Sequence, residues 1–493
     1  MSWCLREIFD EIVGFIDLDP TEAALFSHPL VARLGNIKQL GLACVTFPGA
    51  NHTRLSHSLG TLHYAGEMAK ALKASNPETV KDSLFLRKTR AAALLHDVGH
   101  PPLSHALEHH LMKAYDKQTA TSMVDPKLGE NVTNRPVVTE IKKLIGSEQN
   151  PFDNSVLSAL LVAKSSISAT LSKDGLPPDE IAKAIAGKAL PQYYSQILDA
   201  GLDADKMDYL QRDMHGTGIP YGSFDIGQIL RCLQLENDSI CVHEVGANAC
   251  LHFLLIRYFW YTQVILNKHV NAYEEMAKWM YDSLASIGLL PTSVQLLDKL
   301  DGIVKGEQPA ENWWAEFDDK SFLSAMAEAK RLGGKKDTKS SSPLSPEDLV
   351  EYINRVQNRI PLPRIVRIDS VEIPRRRAAN EVVYENQHPR FVAYVEFTKW
   401  LNENKKDELA HGRIIISERK IQATKPREME SPILVKTKYD KKSIILQQHY
   451  YSVILPMAVD FPEHPIRFAT NRVFCAGDLE DELRSKWNKI VGR

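Results

Sequence analysis

The feature that most constrains the fold is a helical period of apolar residues that runs through most of residues 20–300. Apolar positions recur every three or four residues in "SLGTLHYAGEMAKALKA" (58–74), in "RKTRAAALLHDVGH" (87–100) and again at 249–288. Helices with this pattern bury one face against each other, which is typical of a helical bundle. We therefore expect a mainly α fold, and 493 residues of which 44% are apolar suffice for a large core with appendages.

Two regions depart from the helical period. The stretch "RCLQLENDSICVHEVG" (231–246) alternates apolar and polar residues around Glu-Asn-Asp-Ser, which predicts a β-hairpin that would be an exposed ribbon on the helical body. The stretch "KRLGGKKDTKSSSPLSPED" (330–348) has the composition of a solvated linker. Beyond it the β-like segments are "RIVRIDSVEI" (364–373), "RFVAYVEF" (390–397), "RIIISERKI" (413–421), "SPILVKTK" (431–438) and "SIILQQHYYSVIL" (443–455).

These patterns predict three parts of the chain. Residues 1–290 form the main helical domain, residues 291–345 a helical extension and flexible linker, and residues 346–493 a C-terminal α+β lobe. The expected fold class is thus mainly α, a helical bundle with a β-hairpin and a C-terminal α+β lobe.

Composition and charge limit the classes of function. The chain has 60 Lys and Arg against 62 Asp and Glu, so any attraction to nucleic acid needs a local basic patch such as "IPRRRAANE" (373–381). The six cysteines form no CxxC pair, which predicts free thiols in a reducing compartment. Without a signal-like N-terminus or an apolar run near 18 residues, we expect a cytoplasmic protein that does not span a membrane.

The stretch "AALLHDVGHPPLSHALEHH" (92–110) places five histidines and one aspartate on an apolar helix and the turn after it. His96 and Asp97 follow an apolar run, and an unpaired carboxylate in such a place is costly. A divalent cation would compensate that charge, and imidazole with carboxylate suits Mn, Fe, Zn, Co or Ni. An isolated His-Asp pair is more often an ordinary core or surface pair than a metal site.

Two further segments could complete a metal site. His57 lies in "NHTRLSHSLG", and "GLDADKMDYLQRDMHG" holds several acids among apolar residues. On a helix, Asp205, Tyr209 and Asp213 share one face, with Lys206 beside them. The order H…HD…D across the chain favours a metal site over a chance assembly.

The combined motifs resemble those of the HD-domain metal-dependent phosphohydrolases, and among them the deoxynucleoside triphosphate triphosphohydrolases (dNTPases). The matching segments are "NIKQLGLACVTFPGANHTRLSHSLG" (36–60), "LLHDVGHPPLSHALE" (94–108) and "GLDADKMDYLQRD" (201–213). The resemblance covers residues 10–290 and implies that residues 1–290 are a helical HD phosphohydrolase domain. It implies hydrolysis of a deoxynucleotide substrate to deoxynucleoside and triphosphate, a divalent metal cofactor (Mn, Mg, Fe, Co, Ni or Zn), and assembly into a homo-oligomer.

The resemblance also implies a role for each matching residue. The metal ligands would be His57, His96, Asp97 and Asp205. The residues lining the reacting phosphate would be His100, His105 and Glu108, with a histidine as proton donor to the leaving sugar oxygen. The substrate contacts would be Gln39, Leu40, Arg54, Lys206, Tyr209, Asp213, Arg257 and Tyr261.

Departures from the family pattern keep alternatives open. Where nucleotide-hydrolysing members carry Arg, His and Tyr one turn apart, the register here gives Arg257, Tyr261 and Ile265. An HD-type phosphodiesterase or nuclease acting on nucleic acid or a modified nucleotide, or a non-catalytic nucleotide sensor, is the alternative. Ala32 and Gly35 replace the Gln and Arg of guanine-nucleotide-activated members, so that activator site is expected to be absent, and a different regulatory nucleotide stays open. Nucleotide-pool control and phage defence are both compatible roles.

Overall fold

The computed structural model describes residues 6–124, 134–334, 342–372, 375–377, 381–383, 389–422, 433–437, 443–446 and 467–492. The chain divides into two compact units, each assembled from separate segments. The first unit comprises residues 1–256, 291–323 and 426–446, and the second comprises residues 257–290, 324–425 and 447–493. The expected mainly α architecture is confirmed.

Helices account for most of the described residues. In chain order they are α1 (Pro20–Phe26), α2 (Pro29–Ala32), α3 (Ala43–Thr46), α4 (Arg54–Ser75), α5 (Phe85–Leu95), α6 (His105–Val124), α7 (Pro136–Ile145), α8 (Asn154–Lys164), α9 (Ile167–Lys173), α10 (Pro178–Ile185), α11 (Tyr193–Gln196), α12 (Ala204–Thr217), α13 (Ile226–Arg231), α14 (Ala247–Trp260), α15 (Lys268–Ser286), α16 (Ser293–Val304), α17 (Gln308–Glu316), α18 (Asp319–Arg331), α19 (Pro346–Gln357), α20 (Pro389–Asn404), α21 (Lys406–Ala410) and α22 (Glu480–Val491). A π-helical turn, Tyr261–Ile265, follows α14 directly.

The strands form small sheets. They are β1 (Glu7–Asp10), β2 (Gly14–Asp17), β3 (Leu233–Glu236), β4 (Ser239–His243), β5 (Arg364–Glu372), β6 (Arg375–Arg377), β7 (Glu381–Val383), β8 (Ile414–Gln422), β9 (Leu434–Lys436), β10 (Ile444–Ile445) and β11 (Arg467–Cys475). The sheet orders are β1-β2, β10-β9-β4-β3, β5-β11-β8 and β6-β7. The pairs are antiparallel except for β4 with β9, which is parallel.

Local sequence signals explain where the helices around the site begin. Thr53 caps α4 with a capping box that also uses Ser56. Asp203 accepts the backbone N–H of Lys206 at the start of α12, and Gly218 in the left-handed region ends that helix. In the first unit α4 packs against both α5 and α12, and the caps fix where α4 and α12 begin, the two helices that carry His57 and Asp205.

The predicted hairpin is present as β3 and β4, with Asn237 and Asp238 at positive φ in its turn. The expectation that it is an exposed ribbon was wrong. One edge of β4 pairs with β9, and Leu233, Cys241 and Val242 are buried. The partner strand comes from residues nearly 200 positions later, which local alternation cannot reveal.

The segment 390–397 was predicted as a strand and is instead part of α20. Its Val, Tyr and Phe residues favour strands by propensity, but the buried residues Ala393, Tyr394, Phe397 and Leu401 follow a helical spacing. Phe397 and Leu401 pack with Val473 of β11 and Leu483 of α22 in the core of the second unit. Packing on the three-stranded sheet thus outweighed propensity.

The other predicted C-terminal strands are present in part. The segments at 364–373, 413–421 and 431–438 contain β5, β8 and β9, whereas only residues 443–446 of the segment at 443–455 are described. The described cysteines, which are Cys44, Cys232, Cys241, Cys250 and Cys475, form no disulfide with one another. None of the helices in the described ranges is by itself long and apolar enough to cross a bilayer.

Candidate metal centre and active site

Three helices of the first unit bring the predicted metal ligands together. His57 lies one turn into α4, and α5 ends at Leu95, so His96 and Asp97 leave its C-terminus. Asp205 lies in the first turn of α12. Since α5 and α12 both pack on α4, the four side chains face a common space.

The donor atoms in this space are close to one another. The ligand atoms of His57, His96 and Asp97 all lie within 4.8 Å of each other. Asp205 Oδ1 lies 2.9 Å from His57 Nε2 and 3.8 Å from His96 Nε2. The four predicted ligands therefore form one group of imidazole and carboxylate donors.

The hydrogen bonds of the two imidazoles test whether this group suits a metal. His57 Nδ1 bonds to Asp208 Oδ2 at 2.8 Å and His96 Nδ1 bonds to the Ala93 carbonyl oxygen at 2.7 Å. Because these oxygens accept, each Nδ1 donates a proton, and each Nε2 is the ring nitrogen that could bind a metal. His57 Nε2 is buried and makes no hydrogen bond of regular geometry, although Asp205 Oδ1 lies 2.9 Å away. An imidazole nitrogen in such a position beside two carboxylates fits a divalent cation.

The charges of the group favour a cation as well. Burial lowers the pKa of His57, but the neighbouring carboxylates of Asp205 and Asp208 outweigh burial and raise that pKa to about 10. Burial raises the pKa of Asp97, but Arg54 and neighbouring histidines hold it well below its ordinary value. A space that retains a proton on a buried imidazole so strongly also stabilises a bound cation in its place.

Asp97 is held by two residues from different elements. Arg54 Nη1 lies 2.8 Å from Asp97 Oδ2, and its other nitrogens bond to Ser104 Oγ and the Gln39 carbonyl oxygen. Asn154 Nδ2 donates to Asp97 Oδ1 at 2.9 Å. Arg54 is 2% exposed. In this structure its guanidinium therefore fixes the aspartate rather than facing solvent.

The loop that carries Asp97 lies tightly on α8. A Cβ at Gly99 would lie 2.6 Å from the backbone nitrogen of Ser158, so only glycine fits there. Leu103 and Ser104 take positive φ before α6 begins. These constraints restrict the backbone of residues 96–104, the segment between α5 and α6 that we call the HD loop.

A second group of donors contains the three residues predicted to be catalytic. The ligand atoms of His100, His105 and Glu108 lie within 4.8 Å of one another, and His105 Nδ1 is 2.6 Å from Glu108 Oε2. The backbone nitrogen of Asn154 donates to Glu108 Oε1, so Asn154 links this group to Asp97. Burial lowers the pKa of His100 to about 3, which keeps that ring neutral.

The predicted substrate residues have different surroundings. Lys206 is buried and its Nζ lies 2.7 Å from Asp203 Oδ2, while Asp213 Oδ1 lies 2.8 Å from His52 Nε2. Tyr209 is buried on α12. Gln39 is buried with an Oε1 that lacks a hydrogen-bond partner, whereas Leu40 is half-buried. Arg257 and Tyr261 belong to the second unit, where the guanidinium lies 5.4 Å from the Tyr261 ring centroid.

Sequence reasoning missed several residues that bond to the site. They are Asp10, His52, Ser104, Asn154, Asp203 and Arg212, together with a role for Asp208. A local signal existed for Asp203, which has N-cap spacing, and for Asp208 with Arg212, which are an i,i+4 pair. No local signal marks Asn154 or Asp10, because their partners are distant in sequence.

A sequence model of the HD domain family matches residues 54–213, which span all four predicted metal ligands. This part of the chain is therefore similar to HD domains, in agreement with the resemblance of its motifs. The matched residues include the predicted ligands on α4, after α5 and on α12, and this set of donor side chains fits a divalent metal.

Curated relatives match about half of the chain. An uncharacterized protein, YwfO, from Bacillus subtilis is 32% identical over 232 residues, which are 47% of this chain and 45% of that protein. The deoxynucleoside triphosphate triphosphohydrolase SAMHD1 from Homo sapiens is 30% identical over 261 residues, 49% of this chain and 39% of that protein. The chain therefore covers less than half the length of these relatives.

Solved structures resemble the whole fold. A hypothetical protein from Aquifex aeolicus aligns with a TM-score of 0.61 at 21% sequence identity. The alignment covers 97% of this chain and 99% of that protein. A phosphohydrolase from Bacteroides thetaiotaomicron has a TM-score of 0.62 at 20% identity and covers 95% and 99%. At these identities the likeness concerns the fold.

Proposed function

We propose that this protein is a metal-dependent phosphohydrolase that converts deoxynucleoside triphosphates to deoxynucleoside and triphosphate. The observation that carries the proposal is the convergence of His57, His96, Asp97 and Asp205 beside the bonded His105–Glu108 pair. Similarity to the HD-domain dNTPases supports the choice of substrate. A divalent cation bound by the four ligands would supply Lewis-acid chemistry at a phosphoryl oxygen.

His105 is the proposed proton donor. Water adds to the α-phosphorus and loses a proton to solvent, the bond from that phosphorus to the sugar 5′-oxygen breaks, and the leaving oxygen takes a proton from His105, which regains one from solvent. The His105 side chain is 56% exposed while its Nδ1 is fixed by Glu108, so the ring is oriented and accessible to substrate. His100 is neutral and fully buried, which makes it the weaker candidate for an acid.

The proposed substrate contacts follow from the same elements. Arg54 and Lys206 are paired with Asp97 and Asp203, so contact with a triphosphate requires each cation to share or exchange its carboxylate partner. Gln39 offers a buried acceptor oxygen without a partner, which suits a sugar hydroxyl beside Leu40. Tyr209 and Asp213 on α12 complete the contacts proposed within the first unit, and contacts from Arg257 and Tyr261 stay a prediction from the sequence. We also propose that the protein assembles into a homo-oligomer and binds a regulatory nucleotide.

An activity screen tests the proposal. The wild type and Asp97→Asn, each with Mn²⁺, Mg²⁺, Co²⁺ or Fe²⁺, are incubated with the four deoxynucleoside triphosphates singly and mixed, and products are separated by chromatography. Deoxynucleoside and triphosphate from the wild type alone are expected. Wild type that binds metal yet releases neither product would contradict the substrate, and salt-sensitive cleavage of single-stranded nucleic acid would support the phosphodiesterase alternative.

A further inference from the structure

The side chain of Asp208 lies behind the metal group, outside the four proposed ligands. Its Oδ2 lies 2.8 Å from His57 Nδ1, and both side chains are fully buried. This bond decides which ring nitrogen of His57 carries the proton and which way the ring faces. Asp208 thus sets the lone pair that His57 offers to the metal group.

Arg212 in turn holds Asp208. Its Nε lies 2.8 Å from Asp208 Oδ2 and its Nη2 lies 2.9 Å from Asp208 Oδ1, so the guanidinium grips the carboxylate with two bonds. The two residues are one turn apart on α12. Because Arg212 is 0% exposed, water does not compete for these bonds.

The opposite side of the guanidinium bonds to the antiparallel pair of β1 and β2, which we call the N-terminal hairpin. Arg212 Nη2 donates to Asp10 Oδ1 at 2.9 Å, and Nη1 lies 2.9 Å from Asp10 Oδ2. Asp10 ends β1, and its Oδ1 also accepts the backbone N–H groups of Ile12 and Val13 in the turn. The hairpin's turn is therefore closed around the same carboxylate that holds Arg212.

Gly60 leaves the space that these side chains occupy. It lies on α4, three residues after His57, and a Cβ there would lie 1.8 Å from Asp208 Oδ1 and 2.6 Å from Arg212 Nη2. Both contacts are far shorter than real Cβ atoms allow. The absence of a side chain at Gly60 thus admits the carboxylate and guanidinium against α4.

We propose that Asp10, Arg212 and Asp208 are positioning residues for the metal ligand His57, so that the N-terminal hairpin is a working part of the metal centre. The proposal rests on the metal site of the proposed function, but not on the identity of the substrate. These bonded side chains form a series from Asp10 through Arg212 and Asp208 to His57. Breaking any bond in this series frees the His57 ring to rotate or to change tautomer. Loss of such outer partners typically weakens metal affinity by about 10- to 100-fold.

Metal affinity of the folded protein tests the proposal directly. Metal-free full-length protein is titrated with Mn²⁺, and free ion is followed by its electron paramagnetic resonance signal. We expect Asp208→Asn, Arg212→Lys and Asp10→Asn each to raise the Mn²⁺ Kd by about 10-fold or more. Lysine keeps the charge at 212 but cannot grip both carboxylates.

A matched control separates positioning from stability. Glu22 is 2% exposed and bonds to Arg90 with two contacts of 2.7 and 2.8 Å, so Glu22→Gln breaks a comparable buried pair in the same unit. Its thermal midpoint should fall as far as that of Asp10→Asn, while its Mn²⁺ Kd stays at the wild-type value. A merely structural role for the series predicts equal Kd values in all folded variants.

The outcomes separate this proposal from the proposed function. Wild-type Kd values in Asp10→Asn and Arg212→Lys would overturn it, even if the protein hydrolyses deoxynucleotides. A weakened Kd in Asp208→Asn alone would also overturn the role of the hairpin. Weakened Kd values in a protein that hydrolyses no deoxynucleotide would support the positioning residues and contradict only the substrate. Wild type that binds no Mn²⁺ would overturn both.

Discussion

Two groups of buried charges in this chain satisfy their carboxylates in different ways. In the second unit, Glu275 bonds to Lys278 Nζ at 2.8 Å and to Ser417 Oγ at 3.2 Å, and Arg419 contacts both Glu274 and Glu275. In the region that matches the HD domain, Asp97 and Asp205 instead lie 3.8 and 2.9 Å from the Nε2 of His57, which makes no hydrogen bond of regular geometry.

The difference distinguishes a structural group of charges from a binding site. The group around Glu275 contains its own cations, so folding alone completes it. In the group around His57, closely spaced acids face an imidazole nitrogen that makes no hydrogen bond of regular geometry, so a divalent cation that replaces the proton there completes the group. A buried imidazole nitrogen without a regular hydrogen bond, inside a group of metal-binding side chains, therefore marks the candidate site better than buried charge alone.

Removing a carboxylate from the group of four predicted metal ligands should have the largest effect on activity. For Asp97→Ala we expect loss of bound metal and a fall in kcat of about 10³-fold, because Lewis-acid stabilisation is worth several kcal/mol and 1.4 kcal/mol is tenfold. Metal content and triphosphate release measure the two effects. Full activity in a metal-free variant would show that the group does not act through a metal.

Breaking the group in the second unit should change stability instead. Glu275→Gln leaves Lys278 and Arg419 buried with one fewer carboxylate, and we expect it to lower the free energy of unfolding by about 3 kcal/mol. Urea titration of both proteins gives this value. In the folded state at low temperature the variant should hold as much metal as the wild type, and metal loss would contradict the distinction.

Replacement of the proposed proton donor should have a smaller effect than loss of the metal. His105→Gln should lower kcat by about 10²-fold and leave the metal content unchanged, since a general acid contributes about 10²- to 10⁴-fold. His63→Gln, on α4 outside both histidine groups, is the control and should keep wild-type kcat. Unchanged kcat in His105→Gln would reassign the acid.

The smallest expected effect is the pH dependence of Glu275. Burial raises its pKa, but Lys278 and Arg419 outweigh burial and lower it below the ordinary value of 4.5. Its stabilisation is then complete above pH 4.5 and declines as pH falls below that value, because the unfolded chain takes up the proton first. The stability gap between wild type and Glu275→Gln should narrow from pH 6 to pH 4, whereas a widening gap would contradict this sign.

Most helices around the site follow from local sequence. The capping box at Thr53, the N-cap Asp203 and the apolar run before His96 predict where α4, α12 and the HD loop lie along the chain. The order of histidines and aspartates also predicts which residues the structure brings together, although their roles stay predictions. Spacing of this kind acts over one or two turns, which is the range a sequence pattern describes.

Long-range packing decided the rest. His57 and Asp208 are 151 residues apart, and Asp10 and Arg212 are 202 apart, so no local pattern relates them. Arg54 was expected at the triphosphate and is bonded to Asp97 here, because α4 and the HD loop lie side by side. The partner of β4 and the helical state of residues 390–397 likewise depended on neighbours. The sequence by itself determined most helices around the site and the set of candidate ligands, whereas burial among distant segments decided which charges are neutralised and which can bind a metal.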